Sequence, residues 1–155
     1  MPAAAHKSRA GSRASARLAA VQALYQREME PAPTEQLLHE FHAHRLAETI
    51  DDMELAPPER AFFDDVVAGA AARATEIDAV IVDHLGQGWT LDRLDRPLRA
   101  ILRAGTYELI ARADIPTPTI IVEYVEVARA FYDKRETGFV NGLLDTVAKK
   151  ARPGA

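Results

Sequence analysis

Residues 96–129 read RPLRAILRAGTYELIARADIPTPTIIVEYVEVAR. Leu98, Ile101, Leu102, Gly105 and Leu109 recur at spacings of three and four, which places them on one side of a helix running from Arg96 to Ala113. Ile115-Pro116-Thr117-Pro118 ends that helix, because proline drives the residue before it into extended backbone. The same four residues put Thr117 in position to cap the next helix and Pro118 at its first turn. Beyond them Ile121, Val125, Ala128 and Tyr132 form one stripe, widened by Ile120, Tyr124 and Phe131. The stretch is a helix, a tight turn and a second helix.

Outward from this pair the same period continues. Phe63, Val66, Val67, Ala70, Ala74, Ile77 and Ile81 predict one long helix over residues 59–85, closed by Gly86 and Gly88. LDRLD, residues 91–95, reads as a turn. After Thr137, a last helix directs Phe139, Val140, Leu143, Leu144 and Val147 inward, with Asn141, Asp145 and Lys149 on its other side. Toward the N-terminus, Thr34 starts a helix carrying Leu37, Leu38, Phe41 and Ile50 after the breakers Pro31 and Pro33. Ser12 or Ser15 caps the first helix, whose stripe is Leu18, Val21 and Tyr25 and whose Arg13 and Arg17 share a different, exposed face. Residues 1–11, MPAAAHKSRAG, have no apolar period and read as a disordered basic arm, leaving residues 12–152 as a single domain. No alternating strand pattern competes anywhere, so the fold class is all-α. Gly105 and Gly142 sit inside helices, where glycine costs about 1 kcal/mol against alanine, so close approach of another helix or of a ligand is expected at both, with helix packing the first reading.

Composition narrows the function. Hydrophobic residues make up 48% and charged residues 27% of 155, ordinary values for a chain that folds around one core. There is no cysteine, which excludes disulfides, thiolate nucleophiles and Cys-based zinc sites. No apolar run has the length of a membrane span and no secretory signal is legible, so a cytoplasmic location is expected. The net charge is −4, yet no acidic residue precedes Glu28, while Lys7, Arg9, Arg13, Arg17 and Arg27 all do. The N-terminus is therefore a positive patch on an acidic molecule, suited to phosphates.

No constellation supports catalysis. Glu35, His39 and His42 share a helical face, but the cluster HEFHAH is not HExxH and reads as a solvated polar face. Asp92 and Asp95 are flanked by arginines with no nucleophile or phosphate loop near, so helix capping and surface ion pairs explain them. Tyr25, Tyr107, Tyr124 and Phe131 lie on helical stripes and are expected in the core. Neither a metal nor a cofactor is expected.

Three stretches taken in order carry a resemblance. SARLAAVQALY, residues 15–25, resembles the opening helix of the NusB transcription antitermination family. Residues 88–129 look like that family's AILR…YEL helix, D-[IV]-P turn and V-E helix, and FVNGLLD, residues 139–145, is similar to its final-helix motif. The resemblance covers residues 13–150 and implies about seven helices in a compact bundle of two small subbundles. It implies a non-catalytic role in which the protein pairs with NusE, a small-subunit ribosomal protein, and binds single-stranded boxA in nascent ribosomal RNA within the RNA polymerase antitermination complex. The RNA-binding residues it points to are Lys7, Arg9, Arg13, Arg17, Tyr25, Arg99, Phe139 and Asn141. Two features depart from the family: the basic cluster is spread out by alanine, serine and glycine, and Gly138 stands where relatives often have a basic residue. A stand-alone relative of the NusB-like domain that precedes some ribosomal RNA cytosine methyltransferases is the alternative, although this length leaves no room for the methyltransferase. A purely protein-binding helical adaptor is a third reading, and the possibility of a homodimer stays open.

Overall fold

The computed structural model describes residues 2–45 and 57–154, with side chains from 11–44 and 57–154. Ile50 and the side chains of Lys7 and Arg9 lie outside the described residues. Seven α-helices and no strand occur among those that are described, and none of these helices is long and apolar enough to cross a membrane. The chain divides into two compact units, residues 1–71 and 72–155, which matches the two subbundles implied above.

In the first unit, α1 is Pro2–Met29. It takes in residues 2–11, the stretch expected to be a disordered arm, because alanines are the strongest helix formers and proline is tolerated in a first turn. Ser12 and Ser15 therefore lie inside α1 rather than capping it. Ala16, Ala19, Ala20, Val21, Ala23 and Leu24 are buried along it; so many alanines let neighbouring backbone come close. α2, Thr34–Glu40, continues into a π-helical turn, Phe41–Arg45. α3, Arg60–Ala72, buries Phe62, Phe63, Val66 and Val67. Phe41 stacks on Phe63 with centroids 5.6 Å apart, and the Glu59 N–H donates to the Ser12 carbonyl at 3.0 Å. His42 Nε2 meets Asp64 Oδ1 at 2.5 Å, so this histidine is a local partner of a carboxylate.

The expected long helix over 59–85 is two helices. Arg73, at φ −107° and ψ 23°, leaves helical geometry, and α4 is Ala74–His84. Ile77 N–H donates to the Arg73 carbonyl at 2.9 Å, restarting the ladder at once. A one-residue interruption leaves the apolar stripe unbroken, so periodicity cannot register it.

In the second unit, residues 91–93 form a 3₁₀ turn, followed by α5 (Arg96–Ala111), α6 (Thr117–Arg129) and α7 (Lys134–Ala151). α5 packs against α4, α6 and α7, as its apolar residues require. Gly105 faces α7 so closely that an added Cβ would stand 3.0 Å from Leu144 Cδ1. Gly142 does not follow the same logic: nothing lies within 4 Å of its Cβ position. Tyr107 and Tyr124 are buried as expected, and the Tyr124 hydroxyl donates to the fully buried Glu108 carboxylate.

Thr117 does not cap α6. Pro116 holds the cap position, and the Thr117 hydroxyl instead accepts from Arg152 Nη1 at 3.1 Å. Arg152 also donates to the carbonyls of Glu108, Leu109, Arg112 and Ile115. One guanidinium thus satisfies the orphan carbonyls at the end of α5 and ties them to the start of α6, a job that helix ends require of some donor.

Candidate nucleic-acid interface

The basic face of α1 is less open than its sequence implies. Arg13 Nε donates to Glu59 Oε2 at 3.1 Å, and its guanidinium lies 4.8 Å from the Phe62 ring centroid. Arg17 also lies 4.8 Å from that centroid, and it is only 2% exposed. The expectation that Arg17 shares an exposed face with Arg13 is thus corrected. Phe62 of α3 attracts both cations through the negative face of its ring, and the arginine stems cover apolar surface. Tyr25, assigned to the core by its spacing, is exposed.

A second region lies in the other unit. The α4–α5 connection and the start of α7 enclose a cleft of 460 Å³ whose lining includes Trp89, Arg93, Leu94, Asp95, Arg135 and Phe139. Trp89 is 48% and Phe139 37% exposed, so Phe139 departs from the inward placement expected of it. Val140, Leu143, Leu144 and Val147 do turn inward. The Arg93 guanidinium sits 5.8 Å from the Trp89 centroid. Beside the cleft, Asp95 bonds to Tyr132, whose hydroxyl titrates above its ordinary value, first because it is buried and next because of the Asp95 charge. Gly88 precedes Trp89 with φ +85°, left-handed backbone that suits glycine.

Arg99 and Asn141 are not in this cleft. Arg99 is largely covered and has Nη1 3.7 Å from Asp92 Oδ1. Asn141 is exposed and lines a separate groove with Val122, Glu126, Arg129 and Lys134. Phe139 and Asn141 are two residues apart, about 200° around a helix axis, so they open onto different sides of α7. Trp89, Arg93 and Arg135 were missing from the site residues named from sequence. The available signal was Trp89 itself, a large aromatic in GQGWT outside every helical stripe.

Fold and site together define a small all-α binding protein: helices present basic, aromatic and amide groups at the surface, and the buried Glu108 is engaged by Tyr124 rather than turned toward a cleft. The NusB family model matches residues 14–149. The transcription antitermination protein NusB of Sphingopyxis alaskensis is 60% identical over 144 residues, covering 93% of this chain and 97% of that protein. That of Novosphingobium aromaticivorans is 58% identical over 141 residues, 91% of this chain and 95% of its own. This chain belongs to the NusB family. Among solved structures, NusB of T. maritima superposes with a TM-score of 0.75 at 34% identity, over 91% of this chain and 93% of that one. A chain from a crystal structure of the antitermination factors NusB and NusE in complex with dsRNA shares the fold, with a TM-score of 0.69 at 24% identity over 92% of this chain and 97% of its own.

Proposed function

We propose that this protein is a non-catalytic transcription antitermination factor of the cytoplasm that pairs with NusE and, with it, binds boxA-type single-stranded RNA in nascent ribosomal RNA. The observation that carries the reading is the 60% identity, over nearly the whole length of both chains, to a transcription antitermination protein. The same fold in a complex of NusB, NusE and dsRNA supports the partners. The chemistry suits single-stranded RNA: cations neutralise phosphates, while exposed aromatics and amides address splayed bases. Arg13, Tyr25, Phe139 and Asn141 present such groups at the surface. The test is a pull-down with purified NusE and a boxA RNA, each component omitted in turn. A ternary complex is expected to be retained more strongly than either binary one. If neither NusE nor the RNA is retained, the reading is wrong.

A further inference from the structure

We propose that the joint between α3 and α4, at Ala72 and Arg73, is a hinge on which the two units reorient, and that binding of NusE and RNA arrests it. The hinge itself stands apart from the RNA-binding reading; its arrest rests on that reading.

The break in the helix falls at the boundary of the units along the chain. The first unit ends at Ala71 and the second begins at Ala72, and Arg73 alone separates α3 from α4. Nothing in the local sequence demands a break. Sharp interruptions usually go with proline, a glycine or serine pair, or a π-bulge, whereas residues 70–74 read AAARA, which favours continuous helix. Nor does a cap compensate for it: Arg73 makes no side-chain capping bond to the first N–H groups of α4. The break is therefore imposed by each unit packing for itself, through Phe62, Phe63, Val66 and Val67 on one side and Ile77 and Ile81 on the other. Between those anchors little holds the backbone. From Ala68 to Ala74 only Arg73 has a side chain beyond Cβ, and apart from Ala70 these residues are partly or fully exposed. The side-chain tie at the joint is an ion pair, Arg73 Nε to Glu76 Oε1 at 2.8 Å and Nη2 to Oε2 at 3.1 Å, and exposure makes it weak. It holds Arg73 against the first turn of α4 and leaves the link between Ala72 and Arg73 as the pivot. Small residues at the end of an element absorb a change of φ and ψ at low cost. Of the residues proposed above for binding, Arg13 and Tyr25 belong to the first unit and Phe139 and Asn141 to the second, so a ligand that holds both sets must arrest the joint.

The chain has no cysteine, so spin labels attach only where cysteines are introduced. Gln36→Cys in the first unit and Thr119→Cys in the second, both at exposed positions, report the distance across the joint by double electron–electron resonance. Ala79→Cys paired with Thr119→Cys gives the spread within the second unit. In the full chain without partners, the cross-unit distribution is expected to be the wider of the two. Glu76→Gln removes the exposed ion pair and should enlarge the share of minor distances about 1.5- to 5-fold. NusE with boxA RNA should narrow the distribution. Circular dichroism and retention on NusE show that fold and binding survive labelling. If the partner-free chain has a cross-unit spread no wider than the within-unit one, there is no hinge, whatever the RNA does. A spread that Glu76→Gln leaves unaltered removes the pivot from Arg73, and one that bound NusE and RNA leave unaltered overturns the arrest. If neither partner binds the wild-type chain, the functional reading falls and the arrest with it, while the hinge is decided by the partner-free distributions.

Discussion

α1 and the Trp89 cleft each combine arginines with an aromatic ring, to opposite ends. On α1, Arg13 and Arg17 converge on one buried ring, Phe62, and Arg17 is covered as a result. In the cleft, Arg93 leans on Trp89, a ring that is itself open to solvent, and Arg135 lines the same cleft beside Asp95 and Glu136. A guanidinium over a buried ring is itself covered; one over an exposed ring stays accessible to solvent. Charge density along the chain points to α1, yet the accessible pairing of cation and aromatic is in the other unit.

The sharpest break would come from Arg17. Replacing it by alanine removes a desolvated cation–π contact and the packing of its stem, so a loss of about 2 to 3 kcal/mol is expected. Urea unfolding measures it. A loss under about 0.5 kcal/mol would show that Arg17 is no more structural than a surface cation, and the contrast between the two regions would disappear.

Phe139→Ala tests the other side. A buried phenylalanine would cost about 3 to 5 kcal/mol of stability, but this ring is 37% exposed, so a smaller cost of about 1 to 2 kcal/mol is expected, together with a loss of about 1 to 3 kcal/mol in RNA affinity. Melting temperature and boxA affinity with NusE present separate the outcomes. A large stability loss with unchanged affinity returns Phe139 to the core.

Two glycines sharpen the comparison between faces turned inward and outward. Gly142→Ala meets open space and should stabilise α7 by up to about 1 kcal/mol, while Gly105→Ala must displace Leu144 and gains less or loses. If Gly142→Ala is the worse tolerated when NusE and RNA are bound but not when they are absent, a partner approaches there.

The smallest effect is read in salt dependence. Arg135→Ala should flatten the slope of log affinity against log salt by about 0.7, the value for one single-strand phosphate contact. Arg13→Ala, whose charge is already shared with Glu59, is expected to change it less. Equal changes would mean that the ion pair opens on binding.

Much of the fold was legible because burial repeats with the helix period. Val66 and Ile77, Ile101 and Leu109, Val140 and Leu144 occupy the inner faces that their spacing assigns. The misplacements have one form. Tyr25, Phe131 and Phe139 continue apolar stripes but are exposed, because spacing cannot tell whether a neighbour covers the ring. Arg17 reads as a surface cation because no sequence rule announces that Phe62, on a different helix, lies beneath it. Arg93 and Arg135 are 42 positions apart and were not connected by any motif.

By itself, then, the amino-acid order determined the helices, the turn at Ile115–Pro118, the absence of a cysteine-based site and the resemblance to NusB, since these depend on neighbours within a few positions or on an ordered motif. Only the tertiary structure decided which cations are covered, that Arg152 joins the end of α5 to the start of α6, and that Trp89 and Phe139 share a cleft. Those outcomes depend on side chains from distant segments meeting in space, and charge and hydropathy along a chain carry no record of which distant ring or carbonyl a long side chain will find.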